Sequence, residues 1–185
     1  LNTTQAATLA GNSSVSYSLH LDQAAILAFD NVSTASNLKW RLSSASGVLY
    51  EAWTYSSPDF SGRLAAGDYV LTLSTTNATA ADYAFRVLDT TTAAPVVVGT
   101  PVTVSVAPVN GVALYSFDAQ AGERYFLDVL AFASFDTLAS PTWALLDPLG
   151  NKVFDHGSMG SYAKDGTALD PVTGTYKTRY KLNGN

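Results

Sequence analysis

Trp40-Arg41-Leu42-Ser43-Ser44-Ala45-Ser46-Gly47-Val48-Leu49-Tyr50-Glu51 reads as a strand, a tight turn and a returning strand, and Trp143-Ala144-Leu145-Leu146-Asp147-Pro148-Leu149-Gly150 followed by Val153-Phe154-Asp155 repeats it. The glycine stands seven residues after the tryptophan in both stretches. Ser-Ala-Ser-Gly and Asp-Pro-Leu-Gly are turn chemistry, and the Trp and Tyr or Phe on either side mark the buried face of a hairpin. Upstream, Tyr17-Ser18-Leu19 lines up with Tyr115-Ser116-Phe117. Each is followed by a loop and then an apolar run, Ala25-Ile26-Leu27-Ala28-Phe29 in one half and Arg124-Tyr125-Phe126-Leu127-Asp128-Val129 in the other. Downstream, Leu64-Ala65-Ala66-Gly67-Asp68-Tyr69-Val70 matches Leu169-Asp170-Pro171-Val172 with Gly174-Thr175-Tyr176, with two extra residues before the glycine. Three anchors in the same order predict an internal repeat.

Between the anchors, apolar residues alternate, as in Tyr69, Leu71, Leu73 and in Tyr83, Phe85, Val87. A period of two places one face of a strand in a core. Turn clusters at 43–47, 56–62, 75–80, 147–151 and 157–160 separate the runs. The Ala-rich stretch 21–29 has the composition of a helical turn, but its partner in the second half reads as strand, so it is assigned to strand. The expected fold is all-β, two tandem antiparallel β-sandwiches of jelly-roll type, with residues 1–92 forming the first module and 93–185 the second. The polar, proline-bearing stretch 89–101 is the expected bridge between them. Gly67 and Gly174 each precede a strand that begins with tyrosine. A glycine there turns the chain sharply, so that the tyrosine packs its ring and its hydroxyl reaches backbone. The first module has a closing strand at 83–88, whereas the second reaches Asn185 soon after its Gly-Thr-Tyr strand. The second module is therefore expected to lack its last strand. With a start at Leu1 rather than Met, the chain reads as a piece of a longer array whose open edge invites neighbouring repeats or self-association.

The 185 residues are 47% hydrophobic and 11% aromatic but only 14% charged, a composition that supports real cores. Net charge is −5, and the ten basic residues are scattered from Lys39 to Lys181, a pattern opposed to nucleic-acid binding. The chain has no cysteine, which excludes a disulfide framework and a thiol nucleophile. Its longest apolar runs are too short to cross a bilayer. Abundant Thr, Ser, Ala and Asn with little Lys or Glu give the chain the character of a surface protein.

The order Tyr-x-Phe, Ala-Gly-x, Trp-x-Leu-x-Asp-Pro-x-Gly and Gly-x-Tyr resembles the bacterial pre-peptidase C-terminal family of β-sandwich modules. The second half carries the match: Tyr115 to Glu123 is similar to the family's opening, Leu145 to Gly150 to its central hairpin, and Thr173 to Tyr176 to its late strand. The first half departs from it, with Gln23-Ala24-Ala25 for Ala-Gly-x and Ser43-Ser44-Ala45-Ser46 for the Asp-Pro turn. The resemblance implies accessory modules of secreted peptidases and large bacterial surface proteins, some of which bind matrix proteins or polysaccharide and some calcium. The expected role is that of a non-catalytic structural repeat of a secreted or cell-surface protein, adhesin-like or filament-like. The alternative is a carbohydrate- or matrix-protein-binding accessory module of a secreted enzyme.

Candidates for chemistry are few. A Ser-His-Asp set would need His20 or His156, the only histidines, and no Gly-x-Ser-x-Gly elbow is present. Gly157-Ser158-Met159-Gly160 lacks the lysine of a phosphate loop. Hard cations take several oxygen ligands, so the acidic turns of the second half make Asp147, Asn151, Asp155, Asp165 and Asp170 the candidate calcium ligands. Asp30, Asn31, Asp59 and Asp68 form a fainter set in the first half. The same residues also serve as ordinary turn formers. Trp53, Tyr55 and Phe60 stand close together in sequence and form the candidate ligand-binding group. Either they present rings to a sugar face, or Trp53 and Tyr55 face inward with Phe60 closing one end of the sandwich.

Overall fold

The computed structural model describes residues 1–54, 59–105, 111–120, 122–127, 140–156, 164–168 and 174–183. The chain divides into two compact units, Leu1–Asp89 and Thr90–Asn185. Among the described residues the only helical element is a 3-10 turn at Thr90–Thr92, and no helix is long and apolar enough to cross a membrane.

In the first unit, eight strands run in chain order: β1 (Thr4–Leu9), β2 (Ser14–Leu21), β3 (Ala25–Asn31), β4 (Leu38–Ser44), β5 (Gly47–Trp53), β6 (Phe60–Leu64), β7 (Gly67–Thr75) and β8 (Ala81–Asp89). They form two antiparallel four-stranded sheets, β1-β8-β3-β6 and β2-β7-β4-β5. This interleaving of strands between two sheets is the jelly roll, a double Greek key. The inward faces meet in one core: Leu27 and Phe29 of β3 and Tyr83 and Phe85 of β8 against Trp40, Leu42, Leu71 and Leu73 of the other sheet. Full burial of each such aliphatic or Phe side chain contributes about 1.5–3 kcal/mol. The Tyr17 ring meets Phe85 edge-on at 5.0 Å, and its hydroxyl lies 2.5 Å from that of Tyr83, so the two tyrosines tie the sheets together. Burial, reinforced by the Tyr83 hydroxyl, pushes the Tyr17 phenol up to about 12.

Local features follow from the residues. Strand β7 alternates because its outer face is solvated. Strand β3 does not, because both of its faces are covered: Ala28 and Asp30 on the outer side are as buried as Leu27 and Phe29. The Asp30 carboxylate is held by Arg86 at the cross-strand position on β8, with Nε 2.8 Å from Oδ2. Gly67 has φ +142°, and the Tyr69 hydroxyl donates to the Ala65 carbonyl at 2.8 Å, the corner that the Gly-x-Tyr pattern predicts. At one end of the sandwich the β1–β2 turn locks onto the β7–β8 turn: Asn12 N–H donates to the Asn77 carbonyl at 2.7 Å and the Thr75 hydroxyl to the Ala10 carbonyl at 3.0 Å. The other end joins the unit's limits, because Asn2 N–H donates to the Val87 carbonyl at 2.7 Å and Asp89 N–H to the Asn2 side-chain oxygen at 2.9 Å.

The second unit contains β9 (Ala94–Pro95), β10 (Val112–Ala119), β11 (Arg124–Leu127), β12 (Ser140–Leu146), β13 (Lys152–His156), β14 (Lys164–Ala168) and β15 (Gly174–Asn183), in sheets β13-β12-β15-β10-β9 and β11-β14. The order β5-β4-β7-β2 of the first unit recurs here as β13-β12-β15-β10. Register recurs with it. Tyr17 and Leu42 both pair with Leu71, while Tyr115 and Leu145 both pair with Thr178. Trp40 pairs with Leu73 and Trp143 with Tyr180. The hairpins carry their bulge at the same place, after Leu42 and after Leu145, and Gly47 and Gly150 both take positive φ, +122° and +88°. Such backbone is the reason glycine stands there. Phe117, Ala119 and Leu145 are the buried centre of this unit, with Tyr125 of the small sheet 5.2 Å from Phe117.

The bridge expected at 89–101 is partly built into the fold. Thr90 is buried in the 3-10 turn, and Ala94–Pro95 adds a parallel edge to β10, the one departure from antiparallel pairing among the described residues.

Candidate functional site

A recess opens in the first unit where the edge strand of each sheet, β5 and β6, leaves the sandwich side uncovered. It has a volume of about 530 Å³, within the range of small-molecule sites. Its floor is a ladder of rings. Buried Phe29 stacks on Phe60 at 4.2 Å, Phe60 stacks on Tyr50 at 3.8 Å, and Trp40 meets Phe60 edge-on at 5.4 Å. Tyr69 closes one end, its hydroxyl committed to Ala65. Ser44 and Ser46, whose hydroxyls lie 2.8 Å apart, border it on one side, and Ser61 and Arg63 border it from β6, on the strand face opposite Phe60. Arg63 is exposed and makes no ion pair among the described residues. Among the described residues no acidic one lines this cleft.

The expected ligand-binding group is split by strand alternation. Phe60 is half-buried in the floor of this cleft. Trp53 pairs with Lys39 on β4 and shares the outer face of the sheet with it, Nζ standing 6.0 Å from the ring centroid. Trp53 therefore neither faces the core nor joins Phe60. Tyr55 lies outside the described residues. Glu51, on the same outer face, is paired with Lys39 and is 3.7 Å from Arg41; the Lys39 hydrogen bond holds its carboxyl below the ordinary value.

Of the candidate calcium ligands, Asp147 and Asn151 meet within one turn. Asp147 Oδ1 accepts from the N–H groups of Leu149 at 2.9 Å and Asn151 at 2.7 Å, and Oδ2 accepts from the Asn151 amide at 2.9 Å. These are the bonds of an Asx turn, and they occupy both carboxylate oxygens. Asp155 lies on β13 and Asp165 on β14, but their side chains, like the whole of Asp170, lie outside the described residues. The first unit's set separates into three places: Asp30 on Arg86, Asp59 Oδ1 accepting from Asn31 N–H at 2.9 Å, and Asp68 on His20. Among the described residues no three His, Asp or Glu side chains converge as a metal site would need.

His20 is an exposed surface group with both ring nitrogens facing carboxylates, Nδ1 2.6 Å from Asp68 and Nε2 3.3 Å from Asp22. The Asp68 hydrogen bond, helped by its charge, raises the imidazole above its usual range. No serine stands on either nitrogen. The side chain of His156 lies outside the described residues.

The sequence marks Tyr50 as the inward aromatic of its hairpin but not as a partner of Phe60. The two rings meet because two strands from different sheets end side by side, a relation that leaves no periodic signal in the chain. The class that fold and cleft define is an all-β jelly-roll sandwich with an edge recess. No family profile matches the chain, and no curated protein matches it. Among solved structures it is similar to the CUB1-EGF-CUB2 region of human MASP-1/3, at 8% identity and a TM-score of 0.33, covering 100% of this chain and 95% of that one. The strand order above, independent of that likeness, defines the fold.

Proposed function

We propose that the chain is a tandem pair of non-catalytic β-sandwich modules serving as structural repeats of a large secreted or cell-surface bacterial protein, of the pre-peptidase C-terminal type that its motifs resemble. The observation that carries this reading is the recurrence of one strand order, one set of registers and one bulge position in both units. Repetition of a scaffold supports packing as the common role. Antibodies raised against the chain should label intact, unpermeabilised cells of the source organism or its culture medium. Labelling that appears only after permeabilisation overturns the extracellular part of this reading.

A second reading, a carbohydrate- or matrix-binding accessory module, is favoured by one observation: the aromatic-floored cleft of the first unit. Bonds of proteins to sugars combine ring stacking with hydroxyl hydrogen bonds, and both kinds of group are present there.

A further inference from the structure

We propose that the second unit is a strand acceptor: it takes an extended segment with the pattern of β8 from a neighbouring repeat, which pairs antiparallel with β11 and enlarges the small sheet. The inference rests on the repeat reading proposed above, and it comes from laying one unit over the other. The order β5-β4-β7-β2 has its counterpart in β13-β12-β15-β10, and the antiparallel pair β3-β6 has its counterpart in β11-β14. That leaves β1 and β8 of the first unit, and neither has a counterpart among the described strands of the second.

Both neighbours of the absent strand are nevertheless in place. In the first unit β8 lies between β1 and β3 and is the partner on which β1 depends for its pairing. Among the described residues β11, the counterpart of β3, pairs with β14 alone. The counterpart of β1 begins at Val102, ten residues ahead of the start of β10 as Thr4 is ahead of the start of β2. Val102-Thr103-Val104-Ser105 alternates as a strand does, yet 102–105 belong to no strand and Val102 is 45% exposed. One absent strand accounts for both observations. Such an edge is a template for β-strand addition, in which main-chain hydrogen bonds supply affinity and alternate side chains supply specificity. The role of β8 defines the occupant. Tyr83 and Phe85 enter the core from one face of that strand, while Arg86 on the other face holds the buried Asp30 carboxylate. In the sequence Asp128 follows Leu127 as Asp30 follows Phe29, so the incoming strand needs a cation where β8 has Arg86.

The test is calorimetric titration of the full chain with a peptide of residues 81–89, backed by amide hydrogen exchange. The peptide should bind at one per chain, raise the melting temperature of the second unit by mass action, and slow exchange in β11 and at 102–105 while leaving β2 and β5 unchanged. A peptide with Tyr83→Ser, Phe85→Ser and Val87→Ser should lose about a hundredfold or more in affinity, and one with Arg86→Gln about tenfold. Absence of binding, equal binding of a scrambled peptide, or protection that falls on β2 or β5 instead overturns the inference. Indifference to both substituted peptides overturns β8 as the pattern of the occupant. Each of these failures leaves the extracellular reading to the labelling experiment above, which decides it separately.

Discussion

At the residue scale, two charged groups sit in opposite circumstances. Asp30 is 0% exposed and answers Arg86 across two strands. Removing one partner of a buried pair leaves a charge that water no longer solvates. Asp30→Ala should therefore cost about 3–5 kcal/mol, read as a lower urea midpoint at unchanged slope. The paired change Asp30→Leu with Arg86→Met should recover most of the loss, since apolar packing replaces a buried ion pair at little net cost. His20, by contrast, is 63% exposed on its side chain. Its imidazole is raised in the folded state, so its contribution to stability is complete below the ordinary value near pH 6.5 and disappears as pH climbs through the folded value. Proton NMR should place the His20 titration above that of a model imidazole. His20→Gln should flatten the pH dependence of the melting temperature in that window, an effect that salt weakens.

At the scale of elements, the turns that lock one end of the first unit make a sharper demand than the strands do. A Cβ on Gly11 would lie 2.1 Å from the Ala78 carbonyl oxygen, closer than any atoms can stand without backbone movement. Gly11→Ala should cost about 1–3 kcal/mol and disturb amide signals of both turns, whereas a substitution at exposed Ser46 should do neither. Sequence reading found most strands for the same reason these turns are exacting, namely that local chemistry had to match local geometry. Tyr69, Leu71 and Leu73 alternate because β7 has one wet face, and Gly47 and Gly150 mark equivalent hairpins because only glycine accepts their φ readily. Strand β1, Thr4–Leu9, escaped notice because it is an edge strand with exposed residues on both faces and so has no apolar period. Strand β3 gave a helical impression because burial of both faces removes alternation. The candidate site was the least legible part. Phe60 was named for its neighbours in sequence, but its ring partner Tyr50 is set by sheet-on-sheet packing, and Trp53 went to the opposite face through simple strand alternation.

At the scale of the whole molecule, the core of the first unit is, among the described residues, built from that unit's own side chains, Leu9 through Phe85. Residues 1–89 expressed alone should melt in one cooperative transition by circular dichroism, and a fragment that stays unfolded without the remaining chain would refute that autonomy. The unit also begins and ends at one place, with Asn2 hydrogen-bonded to Val87 and Asp89. A pull transmitted along the polypeptide therefore arrives at the mouth of the β1–β8 ladder and opens it like a zip, one rung after another, instead of shearing all rungs together. The first unit is thus a slack reserve: folded, its two attachment points almost touch, and unzipped it would pay out roughly 300 Å of chain at ~3.4 Å per residue, so that a tug on it would be met by gentle yielding long before the chain snapped.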